Sequence, residues 1–228
     1  GSLLAERRNA LHVAIVAAIE RLFAERLPEY VDRLAYHAGR GADWEKAYKY
    51  GVQAGRRALE RSANQAALEA FELALNALGH LPETRESVAQ AIDLRFELRD
   101  ALFILNRMDA ILPHVEQAEA LAIQIGDRRR EALAALYMSG FYWYTLQLDL
   151  AIKRAEAALG IAQELDDTDL IVLAHYRLAT ALHHLGNYRA ATISADKARE
   201  LVVLFEKHFT ENAGDASEEI KKAGPKLV

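Results

Sequence analysis

The side chains able to do chemistry in this 228-residue chain are few, and their spacing suits no known reaction centre. Cysteine is absent, so thiolate nucleophiles, thiolate metal ligands and disulfides are excluded. The adjacent pair His183-His184 falls in a helical pattern, where consecutive side chains point about 100° apart and cannot chelate one ion together. His175 lies two turns from His183, too far for a shared metal without a bridging ligand. There is no H-E-x2-H, no G-x4-G-K-[ST] phosphate loop and no G-x-S-x-G elbow. The acidic pairs Asp166-Asp167 and Glu218-Glu219 fall at a helix end and in a polar tail, where solvated carboxylates need no catalytic reading. Catalysis requires a nucleophile or base held by an orienting partner. No such group is legible, so we expect a non-enzyme with no catalytic residue, cofactor or metal. One concentration of side chains remains, the aromatic run "YMSGFYWYTL" at 137–146.

The elements around that run are helices. Long Ala/Leu/Glu/Arg stretches are broken by only four prolines, Pro28, Pro82, Pro113 and Pro225, and no period-2 strand pattern occurs. The pattern predicts helices over 3–26, 29–39, 43–61, 64–79, 84–105, 108–125, 129–145, 148–165, 168–185 and 188–208. Gly39-Arg40-Gly41 reads as a helix-to-helix turn, with glycine supplying positive φ. Hydrophobic residues make up 52% of the chain, enough for a substantial core. The formal net charge of −5 argues against a phosphate-neutralising surface, so no nucleic-acid partner is expected. Arg128-Arg129-Arg130 accordingly reads as a solvated helix start. Apolar runs such as Val13–Ala18 are too short to span a bilayer, and no signal peptide is visible, which points to no membrane association. Absent cysteine suits a reducing cytosol, hence a cytoplasmic location. Gly1-Ser2 reads as the remnant of a cleaved tag, which would put the natural start upstream.

A fixed period runs through the chain. Leu121, Ile161 and Leu201 are spaced by 40, as are Ala118, Ala158 and Ala198, and Ile111, Ala151 and Ala191. The turns "LNRM", "TLQL" and "LGNY" keep the same offset. Such a period means stacked supersecondary units, none able to bury its apolar face alone. A HEAT-like pair would also satisfy the spacing, but the details favour another repeat. "LATALHHLGNYRAATISADKA" (178–198) resembles the tetratricopeptide motif, with Leu178-Ala179 at the Leu-Gly pair and Ala191, Ala195 and Ala198 at the small positions of the second helix. Ala67, Phe71 and Ala74 match its Ala-x3-Phe-x2-Ala signature. Ser139 stands in place of the usual glycine, Leu146-Gln147 replaces a turn glycine, and the repeat is longer than the 34-residue form. The expected fold is all-α, a right-handed superhelical solenoid of antiparallel helix pairs, tetratricopeptide-like, with repeats of about 40 residues.

Residues 2–86 also resemble a family of large bacterial signalling proteins. These have an AAA-type or STAND ATPase core, often behind a class III adenylate/guanylate cyclase domain, followed by a tetratricopeptide array. The resemblance is carried by "SLLAERRNALH", "RLAYHAGRGADWEKA", the stretch ending "HLPETRE", and "QAIDLRFELRDAL" (90–102). It implies an N-terminal linking helix over 1–27, ahead of a repeat array over 28–205, and a sensor or scaffold role. Over 206–228 apolar content falls and the next repeat does not arrive, which reads as a polar tail or capping helix, with a foreign or engineered tail as the alternative.

In a tetratricopeptide array the first helices line the concave surface. On that register Met138 and Tyr142 are core, while Tyr137, Gly140, Trp143 and Tyr144 face the groove. Phe96, Asp100 and Phe103 match them one repeat earlier, and Tyr176, Thr180, His183 and His184 one repeat later. Gly140 costs helix stability, about 1 kcal/mol against alanine, and would let a partner backbone approach. The implied partner is a protein or peptide anchored by rigid aromatics, or the chain's own ATPase/cyclase domains. Three alternatives stand beside this: a structural oligomer dimerising through 188–208 with Leu201, Val202, Val203, Leu204 and Phe205; an engineered repeat; and an enzyme using groove Tyr, His and Asp groups.

Overall fold

The computed structural model describes residues 2–203, with side chains from Leu4 onward. The 206–228 tail, the last turn of the helix expected over 188–208, and Leu204 and Phe205 lie outside the described residues. Helices occupy Ser2–Leu22 (α1), Val31–Arg40 (α2), Trp44–Glu60 (α3), Asn64–Leu78 (α4), Arg85–Ile104 (α5), Met108–Gln124 (α6), Arg128–Tyr144 (α7), Leu148–Glu164 (α8) and Thr168–His184 (α9). A further helix (α10) runs from 188 to the last described residue. No strand occurs among the described residues. The fold is an all-α solenoid built of antiparallel helix pairs.

The period comes from the turns. Asn106, Gly126, Leu146, Asp166 and Gly186 all have positive φ, from +53° to +81°, and recur every twenty residues; Ala42 and Ser62 hold the same interval upstream. Each closes a Schellman motif. The N–H one residue further on donates to a carbonyl five residues back: Arg107 to Leu102 at 2.9 Å, Asp127 to Ala122 at 2.8 Å, Gln147 to Tyr142 at 2.8 Å. That next residue then opens the following helix. Asp43, Asp127, Asp167 and Asn187 each accept the N–H three residues on, at 3.0 to 3.3 Å. One αL residue and one cap thus turn the chain back on itself in three residues.

Two expectations at the N-terminal end need correction. The first helix stops at Leu22 rather than 26, and a 3₁₀ segment, Ala24–Tyr30, follows, with Arg26 out of helical geometry. Pro28 lacks an N–H and disfavours α geometry in the residue before it. Nor does a glycine carry the positive φ of the 39–42 turn. Ala42 does (φ +56°), while Gly41 is right-handed (φ −87°). Gly41 is needed for space, since a Cβ there would lie 2.9 Å from Val13 Cγ2 and 3.1 Å from the Val13 nitrogen. The other helix boundaries agree with the sequence pattern within two residues.

The described residues divide into two compact units that part between Ala134 and Ala135. In the first, Val16, Leu34, Ala38, Ala47 and Tyr50 form a buried cluster, and α3 lies close on α4 through glycine. A Cβ at Gly55 would sit 2.3 Å from the Phe71 ring, and one at Gly51 would be 3.0 Å from Ala74 Cβ. Ala67, Phe71 and Ala74 are wholly buried, as their signature implied. Glu20 ties α1 to α3 through Lys46 (2.7 Å) and the Tyr50 hydroxyl (2.6 Å). Trp44 stacks on His80, with centroids 3.9 Å apart and planes at 12°, so two landmarks distant in sequence meet in space. In the second unit Ala151, Ala155, Ala158 and Ala162 form a fully buried seam on α8. Met138 is fully buried, and Ser139 is 1% exposed and donates from Oγ to the Ala151 carbonyl at 2.8 Å. Tyr142, expected in the core, is only half-buried, because it lies in the last turn of α7.

Candidate binding surface

In the second unit residues of α9 and α10, joined by the turn at Gly186, line a cleft of about 650 Å³. Its walls are Tyr176, Thr180, His183 and His184 from α9 and Tyr188 and Thr192 from α10. Ala179, Ala191 and Ala195 line it with small side chains. Helical spacing places the α9 group on one stripe, since residues three and four apart share a face. Tyr176 is 53% and Tyr188 63% exposed, large aromatic surface left to solvent at the rim.

The rings are ordered by contacts within the unit. His183 packs edge-on to Tyr188, with centroids 5.2 Å apart. Trp143 Nε1 lies 3.2 Å from His184 Nδ1, which is also 2.9 Å from the Thr180 carbonyl. One nitrogen cannot accept from the indole and donate to the carbonyl at once, so the imidazole tautomer selects which contact is made. The Thr180 hydroxyl donates to the Arg177 carbonyl at 2.9 Å. Beneath this face His175 is buried, and its Nδ1 has no hydrogen-bond partner. Burial, and then the nearby Lys197, push its pKa below the usual histidine value, so it is neutral near pH 7.

The eleven residues read from sequence fall in two places. Tyr137, Gly140, Trp143, Tyr144, Tyr176, Thr180, His183 and His184 belong to the second unit. Tyr144 is 46% exposed, while Tyr137 and Trp143 are half-buried. The space over Gly140 is filled by this chain's own Arg177, whose guanidinium atoms lie 3.1 to 3.3 Å from where a Cβ would be, and not left for a partner backbone. Phe96, Asp100 and Phe103 lie in the first unit. There Phe96 is buried, Asp100 pairs with Arg99, and the Arg99 guanidinium lies 5.6 Å from the centre of the exposed Phe103 ring. Tyr188 and Thr192 were not read as site residues. The available signal was that the next helix starts only four residues beyond His184 and must flank it.

No group of three or more metal-ligating side chains occurs among the described residues. No described helix is long and apolar enough to cross a membrane. The basic run at 128–130 is built into the scaffold. Arg130 reaches Asp93 with two bonds of 2.8 Å and Asp127 with one of 2.6 Å, and Arg128 pairs with Glu131 at 2.8 Å. Burial works upward on the Asp127 pKa, but hydrogen bonds from the Arg130 backbone and guanidinium hold it below the usual carboxylate value. What the α9–α10 cleft can do is stack and hydrogen-bond. It presents aromatic faces, imidazole nitrogens and hydroxyls, the chemistry of recognition.

No protein-family model matches the chain, and no curated protein matches its sequence. Solved structures do match in fold. BtubC (BKLC) from P. vanneervenii superposes with a TM-score of 0.64 at 16% identity, covering 89% of this chain and 92% of that one. The apo form of RapI gives 0.64 at 14% identity over 70% of this chain and 57% of that one. A Rap protein complexed with Competence and Sporulation Factor gives 0.60 at 14% identity over 90% of this chain and 66% of that one. At these identities the likeness shows the fold, and the fold is a tetratricopeptide-like helical solenoid.

Proposed function

We propose that the chain is a non-catalytic, cytoplasmic protein-interaction scaffold whose α9–α10 cleft takes a peptide or helix of a partner protein. The observation that carries this is the exposure of Tyr176 and Tyr188 on either side of an alanine-lined cleft. Rigid aromatics of this kind dominate binding energy at interfaces because they bury much area at little entropic cost. A solenoid of similar fold, the Rap protein, holds a Competence and Sporulation Factor, which supports the use of such a fold for protein-type ligands. The finer reading rests on the sequence resemblance, which spans roughly residues 2–200: the scaffold regulates an ATPase or cyclase-like signalling protein. An occupied surface then biases a two-state assembly, provided it has unequal affinity for the two states.

Peptide-display selection against the chain tests this. Selected peptides should bind the parent and lose at least tenfold in affinity for Tyr176→Ala/Tyr188→Ala, with the helical signal of both proteins equal. No enrichment over empty bait, or equal affinity for the variant, would sink the reading. A second reading is homo-oligomerisation through α10, favoured by Ile193, Val202 and Val203, which are 51%, 42% and 55% exposed. Sedimentation across a concentration series separates the two, because a dimer would shift with dilution and a monomeric binder would not.

A further inference from the structure

We propose that a cleft within the first unit, separate from the aromatic one, binds a small organic carboxylate through Arg95. Arg95 lies on α5 and is 8% exposed. Its Nη1 donates to the Ala91 carbonyl at 3.0 Å, and its Nε is buried with no hydrogen-bond partner. No carboxylate pairs with it among the described residues, although acids flank it on the same helix. Asp93 is taken by Arg130 and Glu97 by Arg56. A guanidinium does not shed its proton to escape this position. Leaving a buried charged donor unpaired is costly, because its lost hydration is not replaced. A scaffold residue would be expected to have an acid facing it, as Arg130 does.

The side chain borders a cleft of about 410 Å³ between the ends of α4 and α6 and the start of α5. That size falls within the roughly 300–1,000 Å³ of small-molecule sites. Leu75, Leu78, Val88 and Leu121 supply apolar wall, and Glu83 stands among the lining groups with its carboxylate accepting from Gln124 Nε2 at 3.1 Å. One cation, one buried free N–H, hydrocarbon walls and an acid nearby select against a dianion such as phosphate. They select for a monoanionic carboxylate with an apolar body, the carboxylate accepting from Nε and the hydrocarbon resting on the leucines. The nearby His114 does not compete for the anion. Burial, then the Arg95 charge, lower its pKa despite the opposing Glu72, so it is neutral at pH 7.

The test is NMR of the arginine Nε–Hε signals in the full chain, titrated with hexanoate, with its neutral isostere hexanamide, and with inorganic phosphate. Arg95→Lys assigns the resonance. Hexanoate should shift the Arg95 Nε–Hε signal downfield and saturably, while hexanamide and phosphate should not. Calorimetry should show at least tenfold weaker hexanoate binding for Arg95→Met. The urea midpoint of that variant should equal or exceed the parent's, because an unpaired buried charge has been removed. No saturable hexanoate shift, an equal response to hexanamide, or a response to phosphate alone would overturn the proposal. So would a lowered urea midpoint for Arg95→Met, which would make Arg95 a structural brace. An Arg95→Met variant that does not fold would count as the same outcome.

Discussion

Leu146 is the clearest place where the sequence works against its own fold. It holds φ +60° at the αL position of the α7–α8 turn, where Gly126 and Gly186 stand at the corresponding positions of the α6–α7 and α9–α10 turns. An L-residue in αL costs roughly 1–2 kcal/mol relative to glycine. Its side chain is 75% exposed, so little burial is lost on truncation. Glycine returns part of the gain, about 0.4–1 kcal/mol, through the freer unfolded chain. Leu146→Gly should therefore stabilise by about 1 kcal/mol. Leu146→Asn should gain a similar amount, since asparagine tolerates αL, and Leu146→Ala should change little. Gly126→Ala and Gly186→Ala should each lose about 1 kcal/mol, because a Cβ at either position would meet nothing within 4 Å and only the backbone term remains. Urea unfolding followed by far-ultraviolet circular dichroism reads this as a shift in midpoint at constant slope. A Leu146→Gly variant that is no more stable than the parent, with Leu146→Ala equally destabilised, would show that the leucine side chain and not the backbone governs the turn.

Other outcomes follow from the packing. Gly55→Ala should destabilise by about 2 kcal/mol, since its Cβ would fall inside the fully buried Phe71 ring; adding Phe71→Leu should restore part of that loss, measured as a double-mutant cycle. Ser139→Ala should cost about 1 kcal/mol by removing the buried bond to the Ala151 carbonyl, read from the same urea midpoint. Acidification should weaken the fold in a defined window. Burial lowers the folded pKa of His37, His114 and His175. The unfolded chain therefore takes up protons first, and stability declines as pH falls from about 6.5 toward the folded values. The lowered carboxylates, Glu20 and Asp127, release their contribution only near pH 4 and below, outside that window. A urea midpoint that rises between about pH 7.5 and 5.5 would contradict this.

The sequence by itself determined the helices and their period. Both are local: Ala/Leu/Glu/Arg runs favour helix, and each reversal needs only an αL residue and a cap within three positions, so "LNRM", "TLQL" and "LGNY" could be read in register. It also marked Ala67, Phe71, Ala74 and Met138 as buried, because their types repeat at helical spacing. The tertiary structure decided what those helices place together. Trp44 on His80, Asp93 with Arg130, Arg177 over Gly140 and Trp143 beside His184 all join residues 36 to 41 positions apart. A 40-residue period hints at such partners. Which side chain of a helical turn fills the space depends on how closely two helices approach, and Gly41, Gly51 and Gly55 set that approach by lacking a Cβ. For the same reason Arg95 reads in sequence as one more charged residue of a helix, and only packing shows that its helix neighbours Asp93 and Glu97 are each taken by another arginine and its Nε left buried without a partner.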